Sequence, residues 1–224
     1  MILNQHGMSS LANGGGESGL IYDTDFSNLD LDTGIDTPLF GSPRKWNFNK
    51  SKLTKTTKVI DGVSVPCLSV ASGCTLEIDE DLNQLFDLYS CEVSVSKDSW
   101  QGLGSGFMCH RFICPFSNCY ASDLGIGIWG DGTPQGIFYR TVWGEPVITS
   151  DSIDRGNVTR IITGGVAHNS ITNVGYAYLL GKKAAISNNS NDKGIKIYSD
   201  SSFNTQMNVF RFKIYTTNRY EEME

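Results

Sequence analysis

The sequence predicts an all-β fold, a two-sheet antiparallel sandwich, and three observations lead to this class. Apolar runs of strand length recur along the 224 residues, with Gly, Asn, Asp and Ser clusters between them. Several runs alternate between apolar and polar residues, which is typical of strands buried on one face. The 24 glycines supply tight turns between short strands. Helical spacing is limited to Leu82, Leu85 and Phe86, which predicts one short turn.

The predicted strands follow from these runs. In chain order they are 20–26, 63–70, 75–78, 89–96, 107–112, 124–129, 136–142, 158–163, 174–180, 183–187, 195–198 and 209–215. Cys91, Val93 and Val95 alternate with polar residues and are predicted to face the core. A second alternating set opposes Phe210, Phe212 and Ile214 to Arg211, Lys213 and Tyr215. Residues 50–58 carry four lysines, which predicts a solvated loop or an edge strand.

The chain divides into a flexible N-terminal arm, residues 1–19, and one domain, residues 20–224. The stretch 9–19 is rich in Ser, Asn and Gly, a composition that buries too little apolar surface to order itself. The apolar residues of the arm predict a tethered docking segment, and they are Met1, Ile2, Leu3, Met8 and Leu11. A disordered tail or a cloning remnant is the alternative interpretation.

Charge and hydropathy exclude several classes of partner. The net charge is -6, and the basic residues form no dense cluster, so nucleic acid is not an expected partner. No apolar run approaches the roughly 20 residues of a membrane-spanning helix, so no membrane insertion is predicted. The N-terminus lacks the basic start and the apolar core of a secretory signal. We expect either a mature chain or a protein used without that export route.

The six cysteines are an even number, which is compatible with disulfides. Cys91, however, takes the place of a small buried residue in an alternating strand, so we predict free thiols in a reducing compartment. Cys109, His110, Cys114 and Cys119 have the composition of a zinc site. The four-residue gaps between these cysteines favour strand and core instead, and no metal is predicted.

Other chemical motifs are absent from the sequence. The aspartates at positions 23, 25, 30 and 32 lack the spacing of a calcium loop, and they are interpreted as turn residues and negative surface. His6, His110 and His168 fall in an arm, a strand and a loop, with no nucleophile elbow nearby. No phosphate-binding loop or dinucleotide motif occurs, so no cofactor is predicted.

Two segments in the second half carry a family resemblance. The run 178–185, Tyr-Leu-Leu-Gly-Lys-Lys-Ala-Ala, resembles a strand-turn-strand of concanavalin A-like and laminin-G-like domains. The run 210–223 resembles the closing strand of that group, with two threonines inserted before Asn218 and Arg219. The resemblance covers about residues 20–220 and implies a two-sheet jelly-roll. It also implies that the first strand, 20–26, pairs with the last, 210–215.

The resemblance implies binding or assembly in preference to catalysis. Such domains occur in lectins, carbohydrate-binding modules, glycoside hydrolases, adhesion proteins and bacteriophage virions, and this sequence resembles the last group. We predict a non-enzymatic virion structural or adhesion protein, assembled in the host cytoplasm. Its expected partners are other virion proteins, a second copy of itself and a cell-surface glycan. A stand-alone carbohydrate-binding module, extracellular or at the cell surface, is the alternative.

A glycoside hydrolase is a further alternative. The run Glu77-Ile78-Asp79-Glu80-Asp81 resembles the Glu-x-Asp-x-Glu strand of laminarinase-type enzymes, in which two carboxylates act together. The third acid here is Asp81, which is one methylene shorter, and Glu80 takes the place of an apolar residue. The segment then runs into a predicted turn. We therefore predict no catalytic residues.

The predicted ligand-binding residues are aromatic. Trp129 shares a strand face with glycines, which would let a flat ligand approach its indole. Tyr139, Arg140 and Trp143 follow across a predicted hairpin. This set can stack on a sugar ring or anchor a protein partner. Packing of the same aromatic residues under loops is the alternative interpretation.

Overall fold

The computed structural model describes the greater part of the predicted β-domain. The described residues are 19–37, 44–78, 88–97, 108–113, 126–130, 136–139, 161–169, 171, 174–179, 182–187, 196–198 and 207–217. The predicted arm 1–19 therefore lies outside them, except for its last residue. Helical structure within these ranges is one 3-10 turn, Lys50–Lys52. No helix in these ranges is long and apolar enough to cross a membrane.

The fold consists of short antiparallel strands. They are β1 (Leu20–Thr24), β2 (Ile35–Asp36), β3 (Arg44–Asn47), β4 (Leu53–Ile60), β5 (Val63–Val70), β6 (Thr75–Ile78), β7 (Leu88–Lys97), β8 (Met108–Ile113), β9 (Ile126–Gly130), β10 (Gly136–Tyr139), β11 (Ile162–Asn169), β12 (Val174–Leu179), β13 (Lys182–Ser187), β14 (Lys196–Tyr198) and β15 (Met207–Tyr215). The large sheet has the order β13-β12-β11-β7-β15-β5-β4, with β1 also paired to β15. A four-stranded sheet has the order β14-β6-β3-β2, and a three-stranded sheet the order β10-β9-β8.

The two-sheet sandwich predicted from the sequence is confirmed. The hydrophobic core lies between the large sheet, which contributes Val93 and Phe212, and the four-stranded sheet, which contributes Trp46, Leu76 and Ile197. Strand β8 of the three-stranded sheet contacts β14, and β9 contacts β11 and β12. Each fully buried apolar side chain of this kind stabilises the fold by about 1.5–3 kcal/mol. The core therefore holds the two layers together along most of β7 and β15.

The predicted pairing of the first and last strands is also confirmed. β1 runs antiparallel to β15, with Tyr22 opposite Ile214 and Thr24 opposite Phe212. On its other side β15 pairs with β7 along its whole length. Strand β1 therefore joins the large sheet by pairing with a strand that lies almost 200 positions later in the sequence.

An aromatic cluster around Trp46 fills the centre of the core. The indole lies 5.3 Å from the ring of Phe212 and 5.5 Å from that of Phe26, both edge-on. Its Nε1 donates to the hydroxyl of Tyr22 at 2.9 Å, and this hydroxyl donates to the buried carboxylate of Asp36 at 2.7 Å. These bonds pair the indole N–H, the Tyr22 hydroxyl and Oδ2 of Asp36 inside the core, whereas Oδ1 of Asp36 is buried with no hydrogen-bond partner among the described residues.

A β-bulge changes the predicted alternation of β15. The register to β7 passes from Val209 to Arg211, so Phe210 is the extra residue. Met207 and Val209 face the core before the bulge, and Phe212 with Ile214 after it. Phe210 is buried but lies outside this core cluster, so its predicted place beside Phe212 was wrong. One inserted residue shifts the period by one, which alternation alone does not reveal.

Strand β11 is longer and later than predicted. The expected strand 158–163 overlaps it only at its first two residues, and residues 158–160 lie outside the described part of the chain. His168, which was expected in a loop, lies within β11 opposite Tyr89 of β7. Gly164 and Gly165 have the composition of a turn, yet they lie within β11, which pairs with β7 on one side and with β12 on the other.

The lysine-bearing segment 50–58 begins with the 3-10 turn Lys50–Lys52, and its remainder, which carries Lys55 and Lys58, is an edge strand. β4 lies at the end of the large sheet and pairs with β5 from Leu53 to Ile60. Asp61 and Gly62 form the hairpin turn with φ of 49° and 81°, the left-handed values that this kind of turn requires. Strand β3, which the sequence did not predict, pairs with β6 in the opposite sheet.

Cys67, Cys74 and Cys91 are buried. Cys91 shares the core with Tyr89, Val93 and Val95, as the alternation predicted. The interpretation of Cys91 as a small core residue is therefore confirmed.

Candidate functional site

A cavity opens where one edge of β15 changes its partner strand. β5 pairs with residues 207–209 of this edge, and β1 pairs with residues 212–215. The bulge residue Phe210 and its neighbour Arg211 lie between these two pairings. Neither β1 nor β5 pairs with residues 210 and 211, and the cavity is lined by both of these residues together with residues of β1 and β5.

A charged pair forms the floor of this cavity. Arg211 donates from Nε to Oδ1 of Asp23 at 2.6 Å and from Nη2 to Oδ2 of the same carboxylate. The side chain of Asp23 is 4% exposed and that of Arg211 is 49% exposed. Two parallel hydrogen bonds fix the plane of the guanidinium group. The buried carboxylate therefore holds the half-exposed guanidinium group of Arg211 in one orientation beside the cavity.

A strained turn forms the rim. Phe26 follows β1 with φ of 62°, a left-handed value that costs energy in a bulky residue. Its backbone N–H donates to the Thr24 hydroxyl at 2.8 Å, and that of Ser27 donates to the carboxylate of Asp25 at 2.9 Å. Lys55 of the edge strand donates to the Ser27 carbonyl at 2.8 Å. These bonds hold the rim turn in place beside Arg211.

The cavity has a volume of about 410 Å³, within the range of roughly 300–1,000 Å³ found for small-molecule sites. Its lining is Asp23, Thr24, Asp25, Ser27, Asn28, Thr37, Val65, Pro66, Ser94, Ile161, Phe210 and Arg211. Hydroxyl, amide and charged groups lie beside apolar ones. Such a mixture fits a ligand that has both hydroxyl groups and apolar C–H surfaces, and a sugar ring is one.

Asp25 carries a negative charge at the rim. Burial acts to raise the pKa of its carboxyl, but hydrogen bonds from the side chain and backbone of Ser27 and the charge of Arg211 outweigh it. The pKa consequently lies below the ordinary value of 3.8, and the carboxylate stays ionised in mildly acidic solution.

Further polar residues continue from the cavity along the same face. Ser94 lies opposite Arg211 in the register of β7 with β15, and its hydroxyl is 2.9 Å from that of Thr163. The Nζ atom of Lys213 lies 4.0 Å from a carboxylate oxygen of Glu92. The face of the large sheet that points away from the core is therefore organised by polar contacts.

Two of the four residues predicted to bind ligand, Trp129 and Tyr139, lie in strands that do not line this cavity. Trp129 is in β9 opposite Gly136, and Tyr139 is in β10 opposite Ile126, so they stand at opposite ends of one hairpin. Arg140 and Trp143 lie outside the described residues. The same is true of the predicted docking residues, which are Met1, Ile2, Leu3, Met8 and Leu11. Both sets stay predictions.

The structure describes only some of the residues that the catalytic and the zinc alternatives require. Glu77 is in β6, between Lys196 of β14 and Asn47 of β3, while residues 79 and 81 lie outside the described ranges. Cys109 and His110 are in β8, and positions 114 and 119 are again outside. Among the described residues, no cluster of three or more His, Cys, Asp or Glu side chains has the arrangement of a metal site.

Sequence reasoning missed the cavity. Asp23 was interpreted as a turn residue on the negative surface, but it lies within β1 and is buried against Arg211. Asp25, Asp30 and Asp32 are exposed, as expected. The predicted pairing of 20–26 with 210–215 contained a usable signal. An antiparallel register that places Asp23 near Arg211 brings opposite charges together on the solvent side of the sheet.

Comparison with known proteins gives similarity at the level of the fold. No family model and no curated protein sequence matches the chain. Among solved structures, the chain is similar to botulinum neurotoxin type C, with a TM-score of 0.52, 13% identity and 89% of this chain covered. The binding domain of botulinum neurotoxin serotype D/C gives a TM-score of 0.51 and 12% identity over 89% of this chain. The binding domain of botulinum neurotoxin DC in complex with SialylT gives a TM-score of 0.50 and 12% identity over 89% of this chain.

The match covers only part of these proteins. The chain spans about half the length of the solved chains, 48% of the first and the third and 49% of the second. At this low identity the comparison supports the β-sandwich fold alone.

Proposed function

We propose that the chain is a non-catalytic binding domain whose ligand is a glycan, held in the cavity beside Asp23 and Arg211. The bidentate pair is the observation that carries the proposal. Asp23 holds the half-exposed guanidinium group of Arg211 in one plane, and such a group can donate hydrogen bonds to the hydroxyl oxygens of a sugar.

The remaining lining supports the same class of ligand. Asn28 and Ser94 add an amide and a hydroxyl, and Phe210 with Pro66 adds apolar surface. Small-ligand sites usually combine a partly apolar pocket with a small number of polar groups that point towards the ligand. A similar solved structure supports a glycan ligand, since cell entry of botulinum neurotoxin type C depends upon interaction with two ganglioside molecules.

Glycan binding can be tested on an array, followed by titration of the best glycan. We expect Arg211→Lys and Asn28→Ala to weaken binding about tenfold or more, because each removes hydrogen bonds to the ligand, about 1.4 kcal/mol per tenfold. Thr57→Ala, an exposed change on β4, is the matched control and should bind normally. Trp129→Ala tests the sequence-predicted site in the same assay. An array without any bound glycan at high protein concentration would remove the proposal.

For the biological setting we retain a virion or adhesion component as the proposal. The composition of residues 1–19 supports it, since a flexible segment with scattered apolar residues can tether a folded domain to an assembly. Deleting residues 1–19 should leave a folded domain that no longer joins its particle. Incorporation of the shortened chain at normal levels would refute this setting and leave glycan binding unaffected.

A further inference from the structure

The charges that line the cavity indicate which class of glycan it takes, and this inference rests on the proposed function. Three lining side chains are charged, namely Asp23, Asp25 and Arg211. Two of them are negative and one is positive. The other polar lining groups are hydroxyls and an amide, which do not ionise.

The positive charge of Arg211 is already compensated inside the protein. Its Nε and Nη2 atoms both donate to Asp23, whose carboxylate is almost fully buried. An acidic sugar that approached Arg211 would have to compete with this carboxylate, which already holds the bidentate geometry that guanidinium groups favour. The guanidinium group therefore offers hydrogen bonds to the cavity but little net attraction for an anion.

The second carboxylate adds repulsion. Asp25 is exposed at the rim, and its hydrogen bonds from Ser27 keep it ionised at neutral pH. A ligand carboxylate or sulfate entering past this rim meets a like charge before it reaches Arg211. The net charge of -6 on the whole chain acts in the same direction at longer range.

We infer that this cavity selects neutral saccharides and rejects acidic ones. The hydroxyl-rich edge of a neutral sugar matches the uncharged donors and acceptors of Ser27, Asn28, Thr37 and Ser94. A carboxylated or sulfated sugar brings a charge for which the lining holds no uncompensated counterpart.

Matched glycan pairs test the inference. A terminal N-acetyllactosamine is compared with its sialylated form, and a glucose oligomer with the corresponding glucuronic acid oligomer, by titration in low salt. We expect the acidic member of each pair to bind at least tenfold more weakly, about 1.4 kcal/mol. Added salt should narrow the difference, because it screens the exposed carboxylate of Asp25.

Two variants locate the cause of the selectivity. Asp25→Asn removes the rim charge and nearly preserves the shape, and it should reduce the difference to about threefold or less. Asp61→Asn removes one negative charge at the exposed hairpin turn and should leave the difference unchanged. Thermal unfolding of both variants checks that they remain folded.

The outcomes separate this inference from the proposed function. Equal or tighter binding of the acidic glycans by the unaltered protein would overturn neutral selectivity and leave glycan binding standing. A preference for neutral glycans that persists fully in Asp25→Asn would overturn the cavity charges as its source. If neither member of any pair bound and the glycan array also showed no bound glycan, the proposed function itself would fail.

Discussion

Arg211 holds both carboxylate oxygens of Asp23, a residue 188 positions earlier in the sequence. In the register of β1 with β15, Asp23 lies opposite Lys213, so Arg211 is its diagonal neighbour on the same face. The pair therefore fastens β1 to β15 next to the point where the edge of β15 passes from one partner strand to the other. Sheet closure and the floor of the cavity depend on the same two side chains.

Arg211→Ala should lower the free energy of unfolding by about 2 kcal/mol, because it leaves a buried carboxylate without its charged donor. Arg211→Lys should cost less, since it keeps the charge but loses the planar two-donor geometry. Urea unfolding measures both. The double variant that combines Arg211→Ala with Asp23→Asn should lose less free energy of unfolding than the sum of the losses in the two single variants. Strictly additive losses would contradict the coupling between these two side chains.

Gly34→Ala should destabilise the protein far more than Gly62→Ala. Both glycines have left-handed φ values, 76° and 81°, so each alanine carries a similar backbone cost of about 1–2 kcal/mol. A Cβ on Gly34 would lie 2.2 Å from the backbone oxygen of Trp46, whereas a Cβ on Gly62 meets nothing within 4 Å. The backbone at Trp46 must shift in the first variant alone.

Thermal unfolding of the two glycine variants provides the measurement. We expect Gly62→Ala to stay within a few degrees of the unaltered protein, and Gly34→Ala to unfold at a much lower temperature or not to fold. Similar midpoints for the two variants would contradict the close approach of Gly34 to Trp46.

The sequence predicted those strands whose signal is local. β5 and β6 have the predicted bounds, because period-2 apolar patterns and flanking turn residues mark them. Strand β11 was misplaced because its Gly164 and Gly165 lack the side chains that produce such a pattern. Their strand conformation is imposed by pairing with β7 and β12, a non-local effect that the local sequence does not carry.

The candidate site was predictable only in part. Pairing of the first and last strands followed from the family resemblance, and it brings Asp23 near Arg211. The cavity itself requires the bulge at Phe210 and the change of partner from β5 to β1. Neither feature has a signature in alternation, because a bulge is one inserted residue among others of the same kind.

Tyr22→Phe should lower the free energy of unfolding by about 2–6 kcal/mol, although it changes neither the size of the side chain nor the ring packing. The Tyr22 hydroxyl accepts from Trp46 and donates to Asp36, and all three side chains are buried. Removing this hydroxyl deprives one donor and one carboxylate oxygen of their bond, about 1–3 kcal/mol for each group.

Urea unfolding again gives the measurement, and Thr57→Ala serves as the exposed control. Fluorescence of Trp46 should also change in Tyr22→Phe, since its indole N–H loses its acceptor. A variant as stable as the unaltered protein would show that the buried bonds from Trp46 to Asp36 contribute little.

The buried thiols should resist alkylation. Burial raises the pKa of Cys91 well above the ordinary thiol value of 9.0, so almost no reactive thiolate forms in the folded state at pH 8. Burial also raises the pKa of Cys74, although a backbone hydrogen bond at Asn49 and the charge of Lys52 oppose it. Peptide mass spectrometry after iodoacetamide treatment should therefore show slow labelling of Cys91, intermediate labelling of Cys74, and fast labelling of both in urea.

The raised pKa of Cys91 also predicts how stability varies with pH. Above pH 9.0 the unfolded chain loses this thiol proton while the folded chain keeps it, so the unfolded state binds fewer protons. Stability from this group is complete below pH 9.0 and falls as the pH rises towards the folded-state value. Urea unfolding between pH 8 and 10.5 should consequently show a smaller alkaline loss in Cys91→Ala than in the unaltered protein. Parallel curves would contradict the burial of an un-ionised thiol between Val93 and its neighbours in the core.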